Sequence, residues 1–210
     1  MNRSIFFKFF LSWSWLLFFS GHETPVDTWE LKTKKGNISI YTRTTPKSSI
    51  KEVRITTQID GTLDQLLTVL DDVPNFKNWV YRCTHSDLLK KVSDDEYYYY
   101  NRTDFPFPLS DRDVIIHSKT WTVPGTNIVK THADAYAKDD LYKVQKGIVR
   151  IQVLEYTWTF TPLDNGKVDI DYNILSEPGG VLPAWAINLA ITKGPIETME
   201  RLKKEMAARY

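Results

Sequence analysis

The stretch from Glu155 to Ser176 constrains the fold more than any other part of the chain. Val168, Ile170, Tyr172 and Ile174 alternate there with Asp169, Asp171 and Asn173. Just before them, Tyr156, Trp158 and Phe160 alternate with Thr157 and Thr159. Successive side chains of a strand point to opposite faces, so a period of two gives each strand one apolar and one wet face. Parallel sheets buried between helix layers read as continuous apolar runs instead. The two strands flank the turn residues Asp164-Asn165-Gly166-Lys167 and belong to an antiparallel sheet covered on one side.

That face needs a cover, and residues 183 to about 208 can supply it. Pro183 suits a first helical turn, and Trp185, Leu189, Ile196, Met199, Leu202 and Met206 form an approximate apolar stripe. At ~1.5 Å per residue, about 26 residues span about 39 Å, enough to cross a broad sheet. Gly194-Pro195 predicts a kink midway.

The rest of the chain supplies the remaining strands. Trp29–Thr33 and Ile38–Arg43 read as a hairpin about Lys34-Lys35-Gly36-Asn37, and Glu52–Ile59 alternates as a third strand. Thr62-Leu63-Asp64-Gln65 is a capping box, followed by Leu63, Leu66, Leu67 and Leu70 on one helical face and a stop at Pro74. Strand patterns then cover Tyr81–Lys91, Glu96–Phe105, Asp113–Val123, Ile128–Ala137, Gly147–Pro162 and Lys167–Glu177. The run Tyr97-Tyr98-Tyr99-Tyr100 puts two rings on each face, and which pair faces inward stays open. The result is an α+β chain, a large curved antiparallel sheet gripping one long C-terminal helix.

Charge and motifs exclude several functions. With 27 basic and 26 acidic residues and no basic stripe, nucleic acid is not an expected partner. The four histidines, His22, His85, His117 and His132, lie far apart, and no C-x-x-C or H-E-x-x-H occurs, so no metal site or cofactor is expected. No G-x-S-x-G elbow or glycine-rich phosphate loop is present, and no catalytic residue is assigned. Cys83, the only cysteine, reads as a small buried residue. Asp169 and Asp171 read as a solvated outer face.

The N-terminus is of another kind. Arg3 and Lys8 precede the run Phe9–Phe19, which is followed by Ser20-Gly21, the pattern of a signal peptide over residues 1–21. The expected location is the periplasm or the exterior. The alternative is an uncleaved membrane anchor through residues 5–20.

Three segments carry a resemblance. Pro106-Phe107-Pro108-Leu109-Ser110-Asp111-Arg112-Asp113-Val114 resembles the P-F-P-[ML]-S-x-R-D segment of START (StAR-related lipid-transfer) domains, especially those like phosphatidylcholine-transfer proteins. Pro178-Gly179-Gly180-Val181-Leu182-Pro183-Ala184-Trp185-Ala186-Ile187-Asn188 is similar to the family's entry into its last helix, and Val73–Trp79 to its segment after the first helix. Arg112-Asp113 reads as a structural charge clamp at its corner.

The resemblance covers about residues 28–208 of a domain taken as 22–210. It implies the helix-grip (START/Bet v 1-like) fold, with a tunnel able to enclose a lipid or other hydrophobic small molecule, possible transient membrane contact, and a monomer. The expected ligand-binding wall is Val114, Ile116, Trp158, Phe160, Ile170, Tyr172 and Ile174 from the sheet, and Trp185, Leu189 and Met199 from the helix. Simple core packing is the alternative role for each. Gly179-Gly180 and Gly194-Pro195 would let the helix act as a gate. Two other readings stay open: an enzyme of cyclase or hydrolase type on the same fold, for which His117 and His132 are the residues to inspect, and a binder of another protein with a filled cavity. The alternation points His117 away from the cavity.

Overall fold

Among the described residues, ten strands form one sheet in the order β1-β2-β3-β10-β9-β7-β6-β5-β4, with β8 appended to β6. They are β1 Glu30–Lys35, β2 Ile38–Thr45, β3 Ser48–Asp60, β4 Cys83–Lys91, β5 Glu96–Thr103, β6 Arg112–Thr122, β7 Val129–Ala135, β8 Val149–Arg150, β9 Val153–Leu163 and β10 Lys167–Glu177. The computed structural model describes residues 28–210, so the leader-like segment lies outside the described residues. Every neighbouring pair is antiparallel except β6 with β8. The apolar residues of β9 and β10 meet in register, Trp158 opposite Tyr172 and Phe160 opposite Ile170, so the alternation read from sequence becomes one continuous inner face.

Helices close that face. Helix α1 (Leu63–Asp71) opens with the expected capping box: the Gln65 backbone N–H donates to Thr62 Oγ1, and the Thr62 N–H to Gln65 Oε1. A 3-10 turn (Val73–Asn75) and the short α2 (Phe76–Trp79) follow. The last helix runs as α3 (Ala184–Asn188), a π turn (Leu189–Lys193) and α4 (Gly194–Arg209). Pro195 has no N–H to give to the turn before it, and the i→i+5 bonds of the π turn accommodate that gap without breaking the helix.

Helix α4 is fastened along its length. Met199, Leu202 and Met206 are buried in one cluster with Ile40, Ile55, Ile59, Leu66 and Val69. Around that core Lys35 pairs with Glu200 at 2.7 Å, Asn75 donates to Glu205 at 2.8 Å, and Arg209 pairs with Asp72 at 2.6 Å. Lys203 also donates to Asn37 in the β1–β2 turn.

One strand expectation fails. Gly147–Pro162 is not continuous: β8 is a two-residue parallel bridge to β6, and β9 starts anew at Val153. The break follows from Arg150, whose side chain turns to the buried Asp113 on the outer face of β6. Arg112 and Asp113 do not clamp each other, since neighbours on a strand face opposite ways. Asp113 pairs with Arg150, and Arg112 bonds to backbone carbonyls.

Candidate functional site

Between the concave face of the sheet and the last helix lies a cavity of about 360 Å³, within the ~300–1,000 Å³ range of small-molecule pockets. The sheet contributes alternate residues of six strands: Val53 and Ile55 of β3; Tyr97, Tyr99 and Asn101 of β5; Val114, Ile116 and Ser118 of β6; Thr131 of β7; Tyr156, Trp158 and Phe160 of β9; Tyr172 and Ile174 of β10. Leu67, Leu70 and Asp71 of α1 and Phe76 and Trp79 of α2 close one side. The last helix presents Ile187, Ala190, Ile191, Gly194, Pro195, Thr198 and Met199, adjacent pairs that recur every three to four residues as one helical face requires.

Seven of the ten expected wall residues meet there: Val114, Ile116, Trp158, Phe160, Tyr172, Ile174 and Met199. Three do not. Ile170 shares the inner face but is fully buried in the packed core away from the cavity wall. Trp185 is 46% exposed, and Leu189 is half-buried off the wall. The cause is the π turn, which inserts roughly one residue relative to an α-helical path. A stripe extended back from Met199 therefore leaves the sheet, and the inward face passes to Ile187, Ala190 and Ile191. The sequence held only an indirect signal of this, Pro195 within a helical pattern.

Tyr97 and Tyr99 are the inward pair of the tyrosine run, and Tyr98 and Tyr100 look out. Tyr98 stacks on His117 at 4.5 Å, and Tyr100 stacks on Tyr142 at 4.0 Å. His117 bonds to Glu96 at 2.9 Å and His132 to Thr157 at 3.2 Å. Their strand neighbours Ile116, Ser118 and Thr131 line the cavity, so both imidazoles belong to the outer face.

Most of the wall is apolar, with a short string of hydroxyls set into it. The Tyr99 and Tyr156 hydroxyls are 2.8 Å apart, and the Tyr97 hydroxyl donates to Asp71 Oδ1 at 3.3 Å. Ser118, opposite Tyr97 in the β5–β6 register, stands beside the Tyr97 and Tyr156 hydroxyls. Burial raises the pKa of Tyr97, Tyr99, Tyr156 and Tyr172, that of Tyr156 to about 12, and raises that of the Asp71 carboxyl. The phenols are therefore uncharged hydrogen-bonding groups at neutral pH. Cys83, by contrast, is a buried thiol held by Asn101 Nδ2 and the His85 carbonyl, with its pKa raised by burial.

The cavity mouth is formed by two loops. Arg112 stacks on Phe105 at 4.4 Å and donates to the carbonyls of Ser110, Pro178 and Gly179. This staples the β5–β6 loop to the segment entering α3, and Phe105, Pro178 and Leu182 there line the cavity. Gly179 and Gly180 both have positive φ, 71° and 68°, which lets the chain turn under the guanidinium. Outside the staple, Phe107 and Val181 are each 96% exposed.

The chain matches the family model described as START domain over residues 20–208. It is 28% identical over 179 residues to an uncharacterised protein of Pseudomonas aeruginosa, covering 84% of this chain and 86% of that protein. It is 26% identical over 171 residues to the phosphatidylcholine transfer protein of Mus musculus, covering 79% and 78%. The crystal structure of a STAR-related lipid transfer protein fragment from Xanthomonas axonopodis superposes with a TM-score of 0.77 at 29% identity, covering 86% of this chain and 99% of that one.

Proposed function

This chain belongs to the START domain family, and on that premise we propose that it binds one lipid or comparable hydrophobic molecule in the cavity and carries it reversibly. The observation that supports this most is the wall itself, apolar and aromatic over most of its area with a few hydroxyls at one place, the composition that encloses an amphiphile and orients its head. Native mass spectrometry of the purified protein, followed by extraction, tests it. One lipid per chain is the expected result. A chain that is empty and takes up neither sterol nor phospholipid analogues would sink the reading.

The same spectrum bears on location. The leader-like N-terminus supports an exported carrier, periplasmic or secreted. A chain mass lacking residues 1–21 fits that, and a full-length chain recovered with membranes fits the anchor through residues 5–20.

Phe107 and Val181 supply the membrane contact that loading and unloading need. They stand fully exposed at the mouth, where an apolar side chain gains ~1.5–3 kcal/mol on leaving water. Replacing both by aspartate is expected to slow lipid transfer between vesicles at least about tenfold. The amount of lipid retained per chain should not change. Unaltered transfer rates in that double variant would place the membrane contact elsewhere.

A further inference from the structure

Apart from Lys51 and Asp71, the polar groups of the cavity wall are uncharged, and that narrows the ligand. Trp79 is 3% exposed and forms part of the wall, yet no protein group accepts a hydrogen bond from its Nε1–H. Buried indole N–H groups ordinarily have an acceptor, so this one is a donor in want of a partner. Phe76 stands edge-on to both Trp79 and Tyr99, at 5.1 and 5.6 Å between ring centres, and so bridges the indole to the ring of Tyr99, whose hydroxyl meets that of Tyr156.

Charge points the same way. Among the described residues, the only basic residue on the cavity wall is Lys51, and its ammonium lies at an exposed strand position 3.7 Å from Glu30. Arg112, at the mouth, already spends its guanidinium on three carbonyls. The one acid on the wall is Asp71. A phosphate drawn into this end would lose its water, meet no cation and lie near a carboxyl group, a combination that burial penalises heavily. An uncharged oxygen meets donors and acceptors only.

We infer that the cavity selects an uncharged lipid, one whose head is a hydroxyl or carbonyl oxygen, over phospholipids, with the Trp79 Nε1–H as a donor to that oxygen. The inference rests on the lipid-binding reading above and gives it a ligand class.

The test incubates the full-length chain with phosphatidylcholine vesicles containing cholesterol and a diacylglycerol, re-isolates the protein, and quantifies extracted lipid by mass spectrometry. The expected result is one uncharged lipid per chain, enriched over phosphatidylcholine by about tenfold or more relative to the vesicles. Trp79→Phe keeps an aromatic face and removes the donor. It should cut retention of the oxygenated lipids about five- to tenfold, the worth of one neutral hydrogen bond, and leave retention of cholestane, a sterol skeleton without oxygen, unchanged. The wild-type selectivity needs no variant, so a poorly folding Trp79→Phe protein does not remove the test. Phosphatidylcholine retained at or above its vesicle share, or wild-type retention of oxygenated lipid by a folded Trp79→Phe protein, overturns the inference and leaves lipid binding standing. No retention of any lipid overturns both.

Discussion

Replacing Arg150 with alanine should cost about 3–5 kcal/mol of stability. The midpoint of thermal unfolding, followed by circular dichroism, should fall by roughly 6–20 °C, at ~2–4 °C per kcal/mol for a domain of this size. Arg150 grips Asp113 with two nitrogens, Nε to Oδ1 at 2.6 Å and Nη2 to Oδ2 at 3.0 Å, and both side chains are almost wholly buried. It also reaches Asp139 at 3.0 Å and the Tyr142 carbonyl at 3.3 Å, so one side chain pins the excursion between β7 and β8 onto the sheet. Alanine would leave the Asp113 carboxylate buried with only the Tyr100 hydroxyl, 3.1 Å away. The cost is that of stranding a charge, not the net worth of the pair. Changing both partners, Asp113→Leu with Arg150→Met, should therefore recover much of the loss. A single variant that melts within about 2 °C of wild type would show that water reaches the carboxylate, since surface pairs are worth only ~0–1 kcal/mol.

The largest functional effect should come from filling the cavity. Val114 is 6% exposed on β6 and part of the wall, so Val114→Trp directs its added bulk into space the protein leaves open. Overpacking a tight core costs ~1–3 kcal/mol, but here the cavity takes the ring, and filling a void commonly stabilises by ~0.5–2 kcal/mol. The expected outcome is a melting temperature equal to or above wild type, with lipid retention reduced at least about tenfold because ligand and indole compete for one volume. Full retention in the variant would place the ligand elsewhere than this cavity.

Much of this architecture is legible in the chain because period two and the capping signals are local. The β9–β10 pair, the Thr62–Gln65 box and the strand positions of Val114, Ile116, Trp158, Phe160, Tyr172 and Ile174 all follow from residues within a few positions of each other. What escapes is set by partners far along the chain. Nothing near Arg150 says that it will bury itself against Asp113, 37 residues earlier, and so cut a strand in two. The inward facing of Tyr97 and Tyr99 follows from pairing with Ser118 and Ile116, not from four identical residues. On the last helix, Trp185 and Leu189 look like the natural wall because they are large and apolar, but a single π turn moves the inward face onto Ile187, Ala190 and Ile191. Hydrophobicity names candidates, and helical phase decides among them.

The ties on the last helix are unevenly shared. Lys35, Asn37, Asp72 and Asn75 all hold α4. Among the described residues, no side-chain hydrogen bond or ion pair joins residues 184–193 to anything outside the last helix; Lys193 pairs with Glu197 of α4 at 3.6 Å, and the Thr192 hydroxyl bonds to the Asn188 carbonyl. The polar ties and the buried residues are thus concentrated in α4, while Ala186 alone is buried in residues 184–193, the pattern of a segment that opens at low cost. On the lipid-carrying function proposed above, loading and unloading would proceed by local opening of this segment, far below the energy of global unfolding. Substitutions in residues 184–193 can tune the ligand's residence time while leaving the melting temperature nearly fixed, so the rate of exchange and the stability of the domain are free to evolve apart.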